Sequence, residues 1–262
     1  MFGRPDAGVG GVAGLGWHVS APVADVVAAL RSVADPSRTA GMAKVGITVD
    51  RAIGVSIPQL RRLAKAHRRD HALALALWAT GIHEARILAS MVDDPGVVTR
   101  TQMDDWVYQV DSWDLGDQLC NNLFRAARSA DAAARAWSGR RPPYVRRAAF
   151  ALVAAQCVHD HERPDPYFTA WLPRIRRAAS DERPVVMKAV NWSLRQIGKR
   201  NATLHAAAIE EADGLLALDS ASARWIARDA LSELRSDAVV ERLGVDPRAT
   251  YGEDTTSGAS AR

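Results

Sequence analysis

YVRRAAFALV (144–153), VVMKAVNWSL (185–194) and RWIARDALSEL (224–234) carry one pattern three times. Aligned on Arg147, Lys188 and Arg228, they bring apolar residues into register at Val145/Val186/Ile226, Ala149/Val190/Ala230 and Val153/Leu194/Leu234, at spacings of 41 and 40 residues. Apolar positions four residues apart lie on one side of an α-helix. A period of about 40 to 47 residues is that of HEAT or armadillo helix pairs. Each pair buries its apolar face only by stacking on its neighbours, so the repeats generate a curved solenoid. The expected fold is an all-α, HEAT-like helical repeat solenoid with a concave basic face, on which Arg147, Lys188 and Arg228 occupy equivalent positions.

Outward from these repeats, apolar residues keep helical spacing, with breaks at Ile57-Pro58, Asp94-Pro95, Arg141-Pro142-Pro143, Arg163-Pro164 and Arg183-Pro184. About ten to twelve short helices are expected, in a single domain over 21–245. The Gly-rich stretch 1–20 and the small, polar stretch 246–262 read as flexible or disordered ends. The composition, rich in Ala, Leu and Arg with few aromatics, favours helix over strand.

The net charge of +4 conceals an uneven distribution. Residues 125–200 hold 16 Lys or Arg against 6 Asp or Glu. A basic region of this kind suits a polyanion, because bound Lys and Arg release the counterions condensed on phosphates. A solvated Arg-rich surface is the alternative, since 30 of the 34 basic residues are Arg. Cys120 and Cys157 form no CxxC motif and read as buried, reduced thiols, which fits a cytoplasmic location. The apolar N-terminal stretch is broken by glycine and shows no secretion signal, and no run reaches the roughly 20 apolar residues needed to span a bilayer. A Gly-rich phosphate loop, a GxSxG elbow and an HExxH motif are all missing, which argues against nucleotide hydrolases, serine hydrolases and zincins. Cys157-Val158-His159-Asp160-His161-Glu162 holds every ligand type but no recognised ligand spacing, so no metal is expected.

Two constellations carry candidate chemistry. In Asp111-Ser112-Trp113-Asp114-Leu115-Gly116-Asp117-Gln118, Trp113 and Asp117 project from one side of a helix that Ser112 or Asp111 is placed to cap. An aromatic face beside a carboxylate suits a cationic, sugar-like transition state. The alternative places Trp113 in the core and leaves Asp111, Asp114 and Asp117 as caps and surface ion pairs. In the second, Lys188, Trp192, Arg195 and Lys199 form a helical stripe continuing to Arg200. Cations interleaved with an aromatic suit a nucleic-acid backbone with a base or sugar on the ring. Internal cation-π packing is the alternative there.

Five stretches, in order, resemble the AlkD-type DNA alkylation repair proteins built from HEAT-like repeats. They are GVSIPQLRRLAK (54–65), LWATGIHEARILASMVDDP (77–95), DSWDLGDQ (111–118), YVRRAAFAL (144–152) and VMKAVNWSLRQIGKRN (186–201). The resemblance implies a DNA glycosylase of base excision repair. Such an enzyme hydrolyses the N-glycosidic bond of positively charged N3- or N7-alkylpurines in double-stranded DNA, without a metal or nucleotide cofactor and without flipping the base into the protein. Carried over by position, Asp117 would stabilise the oxocarbenium-like sugar and help place water, while Trp113 and Trp192 would pack on the deoxyribose. Arg147 would act as the cleft arginine and hold phosphates together with Arg195 and Lys199. Arg146, Lys188 and Arg200 complete the expected DNA-binding set. The expected partner is alkylated duplex DNA, bound by a monomer in the cytoplasm and on the nucleoid. Two other classes stay open: a non-catalytic module for distorted or branched DNA, and a HEAT-type protein scaffold.

Overall fold

Prolines and short polar side chains set where the helices begin. Pro58, Pro143, Pro166, Pro173 and Pro184 sit in the first turn of their helices, where a missing N–H costs nothing. Asp70, Thr99, Asn201 and Ser220 each accept a hydrogen bond from a backbone N–H three residues on. The computed structural model describes residues 22–245; the ends expected to be flexible, 1–20 and 246–262, lie outside the described residues, as does position 21 of the expected domain.

The helices are α1 (Val23–Ser32), α2 (Ser37–Lys44), α3 (Ile57–Ala64), α4 (His71–Ala79), α5 (His83–Val92), α6 (Arg100–Tyr108), α7 (Trp113–Asn122) and α8 (Ala130–Trp137). They continue with α9 (Pro143–His159), α10 (Asp165–Thr169), α11 (Leu172–Ala178), α12 (Pro184–Gly198), α13 (Ala202–Leu216), α14 (Ala221–Leu234) and α15 (Asp237–Leu243). No strand occurs among the described residues. The fifteen α-helices among the described residues exceed the ten to twelve expected, because short apolar stretches that read as one helix are split. The division of α10 from α11 just before Pro173 is an example, since proline cannot donate to the preceding turn.

Helices α5, α7, α9, α12 and α14 pack side by side in that order, with α4 behind α5, α8 behind α9, and α13 behind α12 and α14. The nine aligned apolar positions of the three sequence repeats are at most 1% exposed, so the repeat is one of packing. Helix α9 lies mid-row and is buried on all sides; its alanines let neighbouring helices approach closely. The row also extends upstream with a shorter period: α5, α7 and α9 start at His83, Trp113 and Pro143, thirty residues apart. The period shortens because α6 and α8, the helices between them, have only 9 and 8 residues, against 15 in α13. Ile87, Asp117, Arg147, Lys188 and Arg228 thereby fall into one line across the row.

Gly54 ties the N-terminal helices to this row. Its φ is +81°, and a Cβ there would lie 1.9 Å from the Asp35 carbonyl oxygen. The backbone N–H groups of Ile53 and Gly54 donate to the buried Glu84 carboxylate on α5, at 2.9 and 2.7 Å.

Candidate functional site

Helix α7 begins where three outside contacts fix it. The Thr48 hydroxyl donates to the Asp111 carbonyl (2.8 Å), the Trp113 indole N–H donates to the Val45 carbonyl (3.0 Å), and His83 Nε2 meets Asp114 at 2.9 Å. Ser112 is the N-cap residue, but its hydroxyl bonds the Asp114 carboxylate and not the helix backbone. Burial alone would lower the pKa of His83 and raise that of Asp114. Burial is the largest single influence on each, but the hydrogen bond between them and the neighbouring charges together outweigh it, so His83 lies above 6.5 and Asp114 below 3.8.

One turn on, Asp117 is clamped by Arg147 of α9. Nε donates to one carboxylate oxygen at 2.9 Å, Nη2 to the other at 2.8 Å, and Nη1 to the Val185 carbonyl of α12 at 2.7 Å. Both side chains are largely buried, at 14% and 8% exposure. Burial raises the Asp117 carboxyl above its ordinary value, against the pull of the guanidinium. The Arg147 guanidinium carbon lies 5.7 Å from the centre of the Trp113 ring. Three of the five guanidinium N–H groups are thus engaged, and two remain.

Trp113, Arg147, Lys188, Pro184 and Val185, with Val45 and Gly46 opposite, line a cleft of about 400 Å³. The structure therefore gathers three of the expected residues, Trp113, Arg147 and Lys188, around one opening, with Asp117 held against Arg147. Trp192 does not line this cleft. It is half-buried one turn along α12, packed against the core. In the orientation of the Gln196 amide that satisfies both donors, its oxygen accepts from Trp192 Nε1 and Lys199 Nζ, each at 3.2 Å. A second hollow, of about 460 Å³, lies beyond Val45, with Met42, Ile47, Ile57 and Ile87 as apolar walls and His83 and Asp114 among its polar lining.

The remaining expected DNA contacts have internal partners. Arg146 binds Asp181 at 2.9 Å, and Arg195 and Lys199 both bind Glu233 of α14. Arg200 donates to the carbonyls of Cys157, His161 and Arg163. Arg147, expected to line a face alongside Lys188 and Arg228, is itself buried, because Asp117 lies opposite it on the preceding inner helix. Of the sixteen basic residues in 125–200, Arg146, Arg147, Arg163, Arg176, Arg183, Arg195 and Lys199 have carboxylate partners. The free positive charge is smaller than the count along the chain implies. Lys188 and Arg228 are exposed and have no ion-pair partner among the described residues.

Sequence reasoning missed Val45, Gly46 and Val185 as parts of the cleft, and the coupling of His83 to Asp114. The thirty-residue register linking His83 to Trp113 is the one signal that points to α5 as a neighbour of α7; a backbone carbonyl leaves no signal in sequence.

A family model for DNA alkylation repair enzymes matches residues 26–234. No curated protein matches the sequence. One solved structure is described as a new family of proteins related to the HEAT-like repeat DNA glycosylases with affinity for branched DNA structures. It superposes with a TM-score of 0.69 at 17% identity, over 86% of this chain and 97% of that one. At that identity the likeness concerns the fold.

Proposed function

The chain belongs to the DNA alkylation repair enzyme family, and from that premise we propose that it is a glycosylase releasing positively charged N3- or N7-alkylpurines from duplex DNA. The observation that carries this reading is the junction of Trp113 and Arg147 at one cleft, with Asp117 held against Arg147 beside it. Rupture of the C1′–N bond sends its electron pair to the purine ring, neutralising the positive charge already there, so no proton need be supplied to the leaving base. The cation left on the sugar is stabilised by the Trp113 ring face and by the field of Asp117. Water then adds at C1′ and gives up a proton, leaving an abasic site. Arg147 has two N–H groups left for a phosphate while it holds Asp117. Lys188 supplies a second cation at the cleft.

The test uses duplex DNA with a single N7-methylguanine, followed by alkaline cleavage of abasic sites. Release by wild type, with a loss of at least about 100-fold in Asp117→Asn, is expected. Asn preserves shape and an acceptor for Arg147, whereas Ala would strand a buried guanidinium at about 3–5 kcal/mol. Wild-type release undiminished in Asp117→Asn would remove the carboxylate from the mechanism.

A second reading has a specific observation behind it: both Asp117 oxygens are occupied by Arg147, so the carboxylate is compensated. In that reading the protein binds branched or distorted DNA without excision, as the structural neighbour's described affinity suggests. DNA binding without release of N7-methylguanine, N3-methyladenine or bulkier N7 adducts would favour it.

A further inference from the structure

Beyond the cleft, the inner row ends on α14, where Trp225 is 39% exposed. It is the most exposed tryptophan among the described residues, and its indole N–H has no hydrogen-bond partner there. Trp78, Trp106, Trp137 and Trp171 are all at most 4% exposed. Trp113 and Trp192, the tryptophans of the inner row, are each partly buried, so Trp225 is the ring of that row most open to a partner.

The register says where this ring lies. Trp225 aligns with Val185, and Arg228 with Lys188, in the repeat whose apolar positions are all buried. Val185 and Lys188 line the cleft that holds Trp113 and Arg147. Trp225 and Arg228 therefore continue that face one helix further, with α14 packed directly on α12. Arg228 stands one helical turn from Trp225, and Lys188 occupies the equivalent place on α12; both are exposed without an ion-pair partner among the described residues. The neighbouring carboxylates are already engaged. Asp229 accepts from Asn191 at 2.6 Å and lies 3.6 Å from Arg195, and Glu233 binds Arg195 and Lys199. The open face of α14 thus offers one π surface and unpaired positive charge.

We propose that Trp225, with Arg228 and Lys188, forms a second nucleic-acid contact that stacks on an unpaired nucleobase, the two cations holding the phosphates on either side of it. This rests on the reading that the chain binds DNA. An aromatic face flanked by cations matches the alternation of base and phosphate along a single strand, and stacking tolerates any base because each has a π face. In an intact duplex the bases are not available to the ring, so the surface discriminates for DNA with a bulge, fork or junction close to the cleft.

The test measures affinity of the full chain for fluorescein-labelled plain duplex, duplex with a one-base bulge, and a three-way junction, for wild type, Trp225→Ala, Trp225→Phe and Arg228→Gln. Because the ring is partly exposed, a thermal melt of each variant serves as the check on folding. Trp225→Ala is expected to weaken bulge and junction binding about 5- to 100-fold, the range of one base–aromatic stack, with less than about a twofold change on plain duplex. Trp225→Phe should retain most of the affinity, and Arg228→Gln should weaken binding and flatten its salt dependence. Wild-type preference for bulge or junction that survives unchanged in Trp225→Ala would overturn the proposal while leaving DNA binding intact. An equal loss on all three DNAs would overturn stacking in favour of a backbone contact. No binding of any DNA by wild type would overturn the DNA reading itself, and this contact with it.

Discussion

Asp117 and Asp114 sit three residues apart on α7 and answer to different neighbours. Asp117 faces forward to Arg147 of α9, and Asp114 faces back to His83 of α5. The His83–Asp114 pair has a definite pH signature. A histidine whose folded pKa is raised contributes stability below its unfolded value of 6.5, and that contribution is lost as pH rises through the folded value. An aspartate whose folded pKa is lowered contributes above 3.8, and loses that contribution as pH falls through the folded value. The pair therefore contributes fully between 3.8 and 6.5. Urea melts of wild type and Asp114→Asn should show their largest difference inside that window, and a shrinking one as pH rises above it. A difference that grows with rising pH would contradict a protonated His83 in the folded protein.

At the scale of elements, the end of α12 is where close approach matters most. Gly198 lies where α12 meets α13 and α14; an added Cβ would come within 2.8 Å of Leu234 Cδ2 and 2.9 Å of Ala208 Cβ. Alanine gains up to about 1 kcal/mol over glycine inside a helix, but overpacking a tight core costs about 1–3 kcal/mol and more where backbones must separate. Gly198→Ala should therefore destabilise the protein by about 1–2 kcal/mol in denaturant melts. A neutral or stabilised variant would mean that the three helices can part without cost. The same crossing sets the ends of the Arg195–Glu233 and Lys199–Glu233 pairs, so looser packing here would free those cations.

Over the whole molecule, the question is how much of the basic charge reaches a ligand. Arg146, Arg195, Lys199 and Arg200 have internal partners, whereas Lys188 and Arg228 have no ion-pair partner among the described residues and Arg147 keeps two spare N–H groups, and the proposed DNA contact draws on these three. Each neutralised phosphate contributes about −0.9 to the slope of log K against log salt. Duplex binding should show a slope of about −2 to −4, against about −5 or steeper if Arg146, Arg147, Lys188, Arg195, Lys199 and Arg200 all engaged phosphates. The steeper value, measured by titration at several salt concentrations, would mean that DNA opens the internal ion pairs.

The sequence by itself determined the helical class and the repeat. Burial on one face of a helix imposes a period that can be read residue by residue, and Val145, Val186 and Ile226 show it without reference to anything distant. It also marked Trp113 and Asp117 as neighbours, since four residues along a helix is a local distance. Tertiary structure alone decided which charges are free. The partner of Asp117 is thirty residues away, that of Arg195 thirty-eight, and the carbonyls that hold Arg200 up to forty-three. An ion pair forms with whatever the next repeat places opposite, and that depends on the lengths of the intervening helices, which a pattern of apolar residues does not encode.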